Sequence, residues 1–289
     1  MRAAAMCIAI WLWHPFAAAQ EITERIEKVA VQVTDRYGKR IERDITVTVF
    51  EAAGRAPYPL LVLSHGRSAD PIERAKLGRA EAYVQVSRLF ASLGYSVWVP
   101  ARIGYGASGG DEDPEDTGSC ATKHYEPGYR VAANQTLQVI EYAKNRPDID
   151  GRRVIALGHS FGGMTSIAVG ARNTSGIVAA VNFAGGGGAN PGTRAGEPCA
   201  AEQLRQLFGA YGQSSRIPTL WIYNENDRWF GPQYTKAWFD AYRSNGGTGE
   251  YILFPPHGND GHNFVTRGIA LWRPIVESFL KKAENGAGK

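Results

Sequence analysis

Four short segments carry side chains whose types and spacing suit acyl transfer. The first is Gly158-His159-Ser160-Phe161-Gly162-Gly163, a G-x-S-x-G pattern that follows the apolar run Val154 to Leu157 and precedes a small-residue stretch. A serine presented on a very sharp strand-to-helix turn needs glycine two residues before and two after it, so that neighbouring backbone can pass close by. Its hydroxyl then projects from the sheet beside a helix N-terminus that favours developing negative charge. A serine alone is a weak nucleophile and needs a base, itself oriented by an acid. Downstream, Trp221-Ile222-Tyr223 leads into Asn224-Glu225-Asn226-Asp227, and Tyr251 to Phe254 leads to His257 and then Gly261-His262-Asn263-Phe264. The order serine, acid, histidine is the one expected on a strand–helix alternating fold. Asp227 is the favoured acid, with Glu225 as its rival, and His262 the favoured base, with His257 as its rival.

An acyl-transfer site also needs two backbone N–H donors for the oxyanion. The residue after the nucleophile, Phe161, supplies one. The other is expected from His65-Gly66-Arg67, after the run Leu60 to Ser64, and is assigned to Arg67 with Ser68 as the alternative. Tyr105, Trp229 and Phe230 are candidates to line a substrate pocket. Gly185 to Gly188 reads as a flexible loop over the site.

Other patterns point away from a cofactor. Gly104-Tyr105-Gly106-Ala107-Ser108-Gly109 matches G-x-G-x-x-G, but a dinucleotide site requires a helix to open there. The acidic stretch Asp111 to Asp116 follows instead. It lacks the ligand spacing and committed turn glycine of a calcium loop, and is expected to be a solvated loop. No H-E-x-x-H or Cys-x-x-Cys pattern offers a metal site, so no metal or organic cofactor is expected.

The elements that position these residues are legible from periodicity. Ile26 to Thr34 and Ile41 to Phe50 alternate with period two around a turn at Tyr37-Gly38-Lys39, which predicts an antiparallel hairpin. From Pro59 onward the apolar runs become continuous: Leu60 to Leu63, Val97 to Val99, Val154 to Leu157, Ile177 to Phe183, Thr219 to Tyr223 and Tyr251 to Phe254. Such runs predict strands buried on both faces. Between them, helical spacing recurs at Ala133, Leu137 and Ile140, at Tyr234, Trp238 and Ala241, and at Ile269, Trp272, Val276 and Leu280, with a kink or break expected at Pro274. The pattern predicts an α/β fold in which a mostly parallel sheet is covered by helices on both faces. Ligands of such sheets sit beyond the carboxyl ends of the strands, where the candidate residues fall.

The ordered set His65-Gly66, Gly158 to Gly163, Asn224 to Asp227 and Gly261-His262 resembles the α/β-hydrolase superfamily, and within it the dienelactone-hydrolase-like and prolyl-oligopeptidase-like branches, over about residues 25–283. The resemblance implies an eight-stranded sheet, a Ser160–His262–Asp227 triad and acyl transfer. Dienelactone hydrolases proper use a cysteine nucleophile, whereas this elbow carries Ser160. A serine carboxylesterase acting on a small-molecule or polymer-linked ester is the favoured reading. A serine peptidase or amidase on the same triad, and a catalytically silent binding protein of this fold, are the alternatives.

Bulk composition narrows the partners. The 289 residues are 44% hydrophobic and 21% charged, ordinary for a globular chain with a real core. Net charge is +4, with Lys and Arg scattered singly, which argues against nucleic acid as a partner. Arg2, the apolar Ala3 to Trp13 and Ala17-Ala18-Ala19 read as a secretory signal peptide cut after Ala19, too short for a membrane span. Residues 20–289 are then one exported catalytic domain, periplasmic or secreted. Cleavage would leave two cysteines, Cys120 and Cys199, and an oxidising compartment favours their pairing.

Overall fold

The computed structural model describes residues 21–54, 56–77 and 80–287. The expected signal peptide lies outside the described residues. An antiparallel hairpin, β1 (Ile22–Thr34) and β2 (Arg40–Ala52), opens the fold. Its turn needs Gly38 at φ +84°, a left-handed conformation that costs glycine little. Then come β3 (Tyr58–Ser64), α1 (Pro71–Lys76), α2 (Val84–Ser92), β4 (Ser96–Pro100), α3 (Tyr125–Lys144), β5 (Ile149–His159) and α4 (Phe161–Gly170). The chain closes with β6 (Ile177–Phe183), α5 (Ala201–Ser214), β7 (Pro218–Asn224), α6 (Pro232–Ser244), β8 (Thr248–Phe254), the single turn α7 (Phe264–Arg267) and α8 (Ile269–Ala287).

The strands form one eight-stranded sheet in the order β1-β2-β4-β3-β5-β6-β7-β8. Strand β2 runs antiparallel to both β1 and β4, and all pairings from β4 to β8 are parallel. Alternate residues of β3 explain the continuous apolar runs. Leu60 and Val62 pack into one hydrophobic cluster with α3 and α4, while Leu61 and Leu63 pack into another with α2 and α8. Both faces are covered, so both sets of side chains must be apolar.

The break expected at Pro274 does not occur, because α8 continues through it. Pro274 sits on the exposed side of the helix, where the carbonyl it leaves unpaired can turn to water, while Trp272, Val276, Phe279 and Leu280 anchor the opposite side in the core. Among the described residues no helix is long and apolar enough to cross a membrane.

Candidate active site

Ser160 stands at the turn from β5 into α4 with φ +59° and ψ −126°, a conformation that costs a non-glycine residue about 1–3 kcal/mol and must be enforced by its surroundings. Two features enforce it. The Ser160 amide donates to Phe183 O on β6 at 2.9 Å, and the glycines around it admit no side chain. A Cβ on Gly158 would strike the Gly162 carbonyl, and one on Gly162 would strike the carbonyls of Ser64 and His65.

The candidate base and acid arrive from the ends of β8 and β7. His262 lies in a 3-10 turn, Gly261–Asn263, capped by Asp260. One carboxylate oxygen of Asp260 accepts the His262 amide at 3.0 Å and the Arg228 amide at 3.1 Å, which ties the histidine loop to the acid loop. Asp227 Oδ1 accepts the amides of Trp229 (2.7 Å) and Phe230 (3.1 Å), which fixes the carboxylate. His262 Nδ1 is then 3.0 Å from Asp227 Oδ2, and His262 Nε2 is 3.0 Å from Ser160 Oγ. Asp227 and His262 are each 4% exposed, with the rings of Trp229 and Phe230 against the imidazole at centroid distances of 5.1 and 5.4 Å. The two rivals lie elsewhere. His257 Nε2 faces Arg267 O at 3.2 Å and its ring meets Phe264, while the Glu225 side chain is exposed.

Phe161 is the first residue of α4, so its amide has no acceptor within the helix. Gly66 passes so close to the serine that a Cβ there would sit 3.3 Å from Ser160 Cβ, which brings the main chain around Arg67 alongside Ser160. The Arg67 guanidinium turns away to Asp113, at 2.6 Å, and lies over the Phe161 ring.

A cavity of about 740 Å³ opens over Ser160 and His262, with Trp229, Phe230 and Lys123 in its walls. Three expectations change here. Tyr105 does not line the cavity. It is wholly buried, its ring 4.6 Å from His65 and its hydroxyl donating to Glu115 at 3.2 Å, because the Gly104–Gly109 turn folds back onto β2 through Ser108. The Asp111–Asp116 stretch is not a solvated loop. Glu115 is fully buried against Arg102, Asp113 lies between Arg67 and Arg74, and Asp116 meets Arg36 and Tyr37. Gly185 to Gly188 is a packed wall rather than a flexible cover. A Cβ at Gly186 would come within 2.8 Å of Trp238, and one at Gly187 within 2.6 Å of the Tyr129 hydroxyl. Cys120 and Cys199 are joined in a disulfide with Cα atoms 5.3 Å apart, and both border the cavity.

Several residues of the site were not singled out in the sequence. Arg102 and Glu115 hold the loop after β3, Asp260 ties the two downstream loops, and His159 and Tyr83 back His262. Only Asp260 left a local signal, an aspartate two residues before the histidine whose amide it caps. Among the described residues, no group of three or more His, Cys, Asp or Glu side chains is placed to hold a metal ion.

Residues 61–280 match the model of the alpha/beta hydrolase family, and the chain belongs to that family. No curated protein sequence matches it. Similar solved structures include an esterase from Pyrococcus furiosus, 16% identical, covering 95% of this chain and 97% of its own, with a TM-score of 0.60. A dienelactone hydrolase-like promiscuous phosphotriesterase from metagenomic libraries is 15% identical over 90% of this chain and 98% of its own, with a TM-score of 0.59. Est1E from Butyrivibrio proteoclasticus, solved with ferulic acid bound, is 17% identical over 89% of this chain and 100% of its own, with a TM-score of 0.57. At these identities the likeness is one of fold.

Proposed function

We propose that the protein is a serine hydrolase that cleaves a carboxylic ester through an acyl-enzyme. The observation that carries this reading is the continuous contact from Asp227 through His262 to Ser160 at the mouth of the cavity. His262 takes the Ser160 proton on Nε2 as the hydroxyl oxygen attacks the ester carbonyl. Asp227 keeps the imidazole proton on Nδ1 and stabilises the imidazolium that forms. The amides of Phe161 and Arg67 receive the oxyanion, each worth about 3–4 kcal/mol in the transition state. His262 then gives its proton to the departing alcohol, and a water repeats the attack to free the acid and Ser160.

The cavity is large enough for a bulky ester, and Trp229 and Phe230 offer aromatic wall to its acyl or alcohol group. Esterase neighbours of the same fold, one holding ferulic acid, agree with this assignment. The Cys120–Cys199 bridge agrees with export to an oxidising compartment, periplasmic or extracellular.

Hydrolysis of a short-chain chromogenic ester, measured beside Ser160→Ala, tests the assignment. Activity lost in the variant supports it. Activity that survives in Ser160→Ala removes Ser160 as nucleophile, and a wild-type protein inert on an ester panel removes the esterase reading.

A further inference from the structure

The turn that presents Ser160 needs glycine at 158 and 162 but makes no demand on position 159. That position nevertheless holds a buried imidazole with both nitrogens engaged. His159 Nε2 lies 2.9 Å from the main-chain oxygen of His262, and His159 Nδ1 lies 3.1 Å from the Tyr83 hydroxyl. A carbonyl oxygen can only accept, so the His159 proton resides on Nε2. Nδ1 is then bare and accepts the Tyr83 O–H. The amide of Gly66, next to the serine, lies against the same hydroxyl.

We propose, building on the reading of Ser160 and His262 above, that His159 is a positioning residue: with its proton held on Nε2 by the His262 carbonyl and its Nδ1 held by the Tyr83 hydroxyl, it holds the main chain of His262 so that the catalytic imidazole stays on Ser160 Oγ. The chain of contacts runs from the loop after β3, through the residue that opens α2, to the end of β5 and the loop after β8. Hydrogen bonds join Tyr83, the Ser160 turn and the His262 loop, and Tyr83 in turn lies against the loop at Gly66. A single side chain could not span these elements.

The protons in this chain do not move in the working range. Burial, reinforced by the nearby His262, lowers the His159 pKa to about 3, and burial raises that of Tyr83 to about 12. The titratable groups facing His159 are Tyr83, His262 and Asp227. His159 is therefore neutral when His262 works as a base, and its tilted ring, 5.1 Å from that of His262, adds no competing charge. Its part is geometric, and displacing a catalytic group by an ångström can cost about 100-fold in rate.

Nitrogen-15 labelling of the histidines reads the tautomer directly. One imidazole, assigned by its loss in His159→Gln, is expected to stay neutral and Nε2-protonated from about pH 4 to 9. Tyr83→Phe leaves the His262 carbonyl in place, so it is expected to keep the Nε2–H form while the Nδ1 resonance moves to that of a nitrogen without a hydrogen-bond donor. In kinetics, His159→Leu is expected to lower kcat about 10- to 100-fold with KM within about twofold. His159→Gln, whose amide can donate to the same carbonyl, is expected to recover most of the loss. Melting temperatures establish that each variant is folded. An Nδ1–H or ordinarily titrating His159 in the wild type overturns the positioning chain alone. So does a folded His159→Leu with wild-type kcat. A wild-type protein inert on every ester, with the tautomer as expected, overturns the catalytic reading and the positioning role with it.

Discussion

Arg102 and Glu115 form an ion pair with no solvent exposure at either side chain, Nε to Oε1 at 2.6 Å, and the same guanidinium donates to the carbonyls of His65 at 3.0 Å and Gly66 at 3.3 Å. The pair thus splints the loop that flanks Ser160. Glu115 is further bound by Gln135 and Tyr105, so neither charge is left without partners. Removing one member strands the other in the interior, at a cost of about 3–5 kcal/mol. Glu115→Gln and Arg102→Met are each expected to lose stability on that scale in urea unfolding. An unchanged midpoint would mean the splint is not under load.

The hydrogen bonds to Asp227 make a separate expectation for the triad. Asn at that position keeps the shape but presents an amide to His262 Nδ1, which forces the wrong tautomer. Asp227→Asn is expected to lower kcat about 10⁴-fold with little change in KM or stability. A loss of less than tenfold would indicate that another acid orients the base. Glu225 is too exposed for that part, and Glu225→Gln is expected to be neutral.

Two buried histidines set the response to acid. His65 is held well below the ordinary imidazole range by burial and then by Arg102, and His159 is lowered to about 3 by burial and then by His262. In both, the folded pKa lies below the unfolded one, so the unfolded chain binds more protons as pH falls. Their stabilising contribution is complete above about pH 6.5 and is lost progressively below it, for His159 down to about pH 3, at about 1.4 kcal/mol per pH unit for each group. Unfolding free energies measured between pH 6 and 4 are expected to fall more steeply for the wild type than for His159→Gln, by that slope for one group. Parallel slopes would contradict the neutral, buried assignment.

The sheet was legible because burial on both faces forces continuous apolar runs, and Ile177 to Phe183 is a strand over that same span. Ser160, Asp227 and His262 stood out because a sharp turn needs glycines at fixed offsets and because loops after parallel strands converge. What stayed hidden depends on long-range pairing. Nothing local to Glu115 announces that it lies inside against Arg102 rather than in water with its acidic neighbours. Tyr105 next to glycines looks like a pocket residue, and only the fold of its turn onto β2 shows it to be core. The glycines at 185 to 187 read as freedom in sequence, yet each marks a contact with Asn182, Trp238 or Tyr129 that a side chain would break.

Gly66 offers a narrower test of the proposed oxyanion donor at Arg67. Its conformation does not require glycine, but a Cβ would meet Ser160 Cβ at 3.3 Å, tighter than ordinary contact, and would lie 3.7 Å from Oγ. Gly66→Ala is expected to push the loop from the serine and lower kcat about tenfold or more, since oxyanion donors act only at the right distance. The melting temperature should shift little. A fully active Gly66→Ala would argue that the second donor lies elsewhere, with Ser68 next in line.

The Cys120–Cys199 bridge joins positions 79 residues apart and borders the cavity on two loops. Closing a loop of that length stabilises the fold by about 3–5 kcal/mol through the entropy of the unfolded chain. Cys199 is buried, and Tyr125 clamps its carbonyl as well as that of Gly187, so the loop after β6 has anchors besides the sulfur. The proposed triad is carried by the ends of β5, β7 and β8, which the bridge does not touch. A Cys120→Ser, Cys199→Ser double variant is therefore expected to melt lower yet hydrolyse small esters at close to the wild-type kcat. Bulky esters, which need the wall that the bridge holds, should show a raised KM. A thiol count of zero on the denatured, unreduced protein without residues 1–19 would establish the bridge. Loss of kcat on the smallest ester, in a variant still folded, would mean that the bridge positions the catalytic residues themselves.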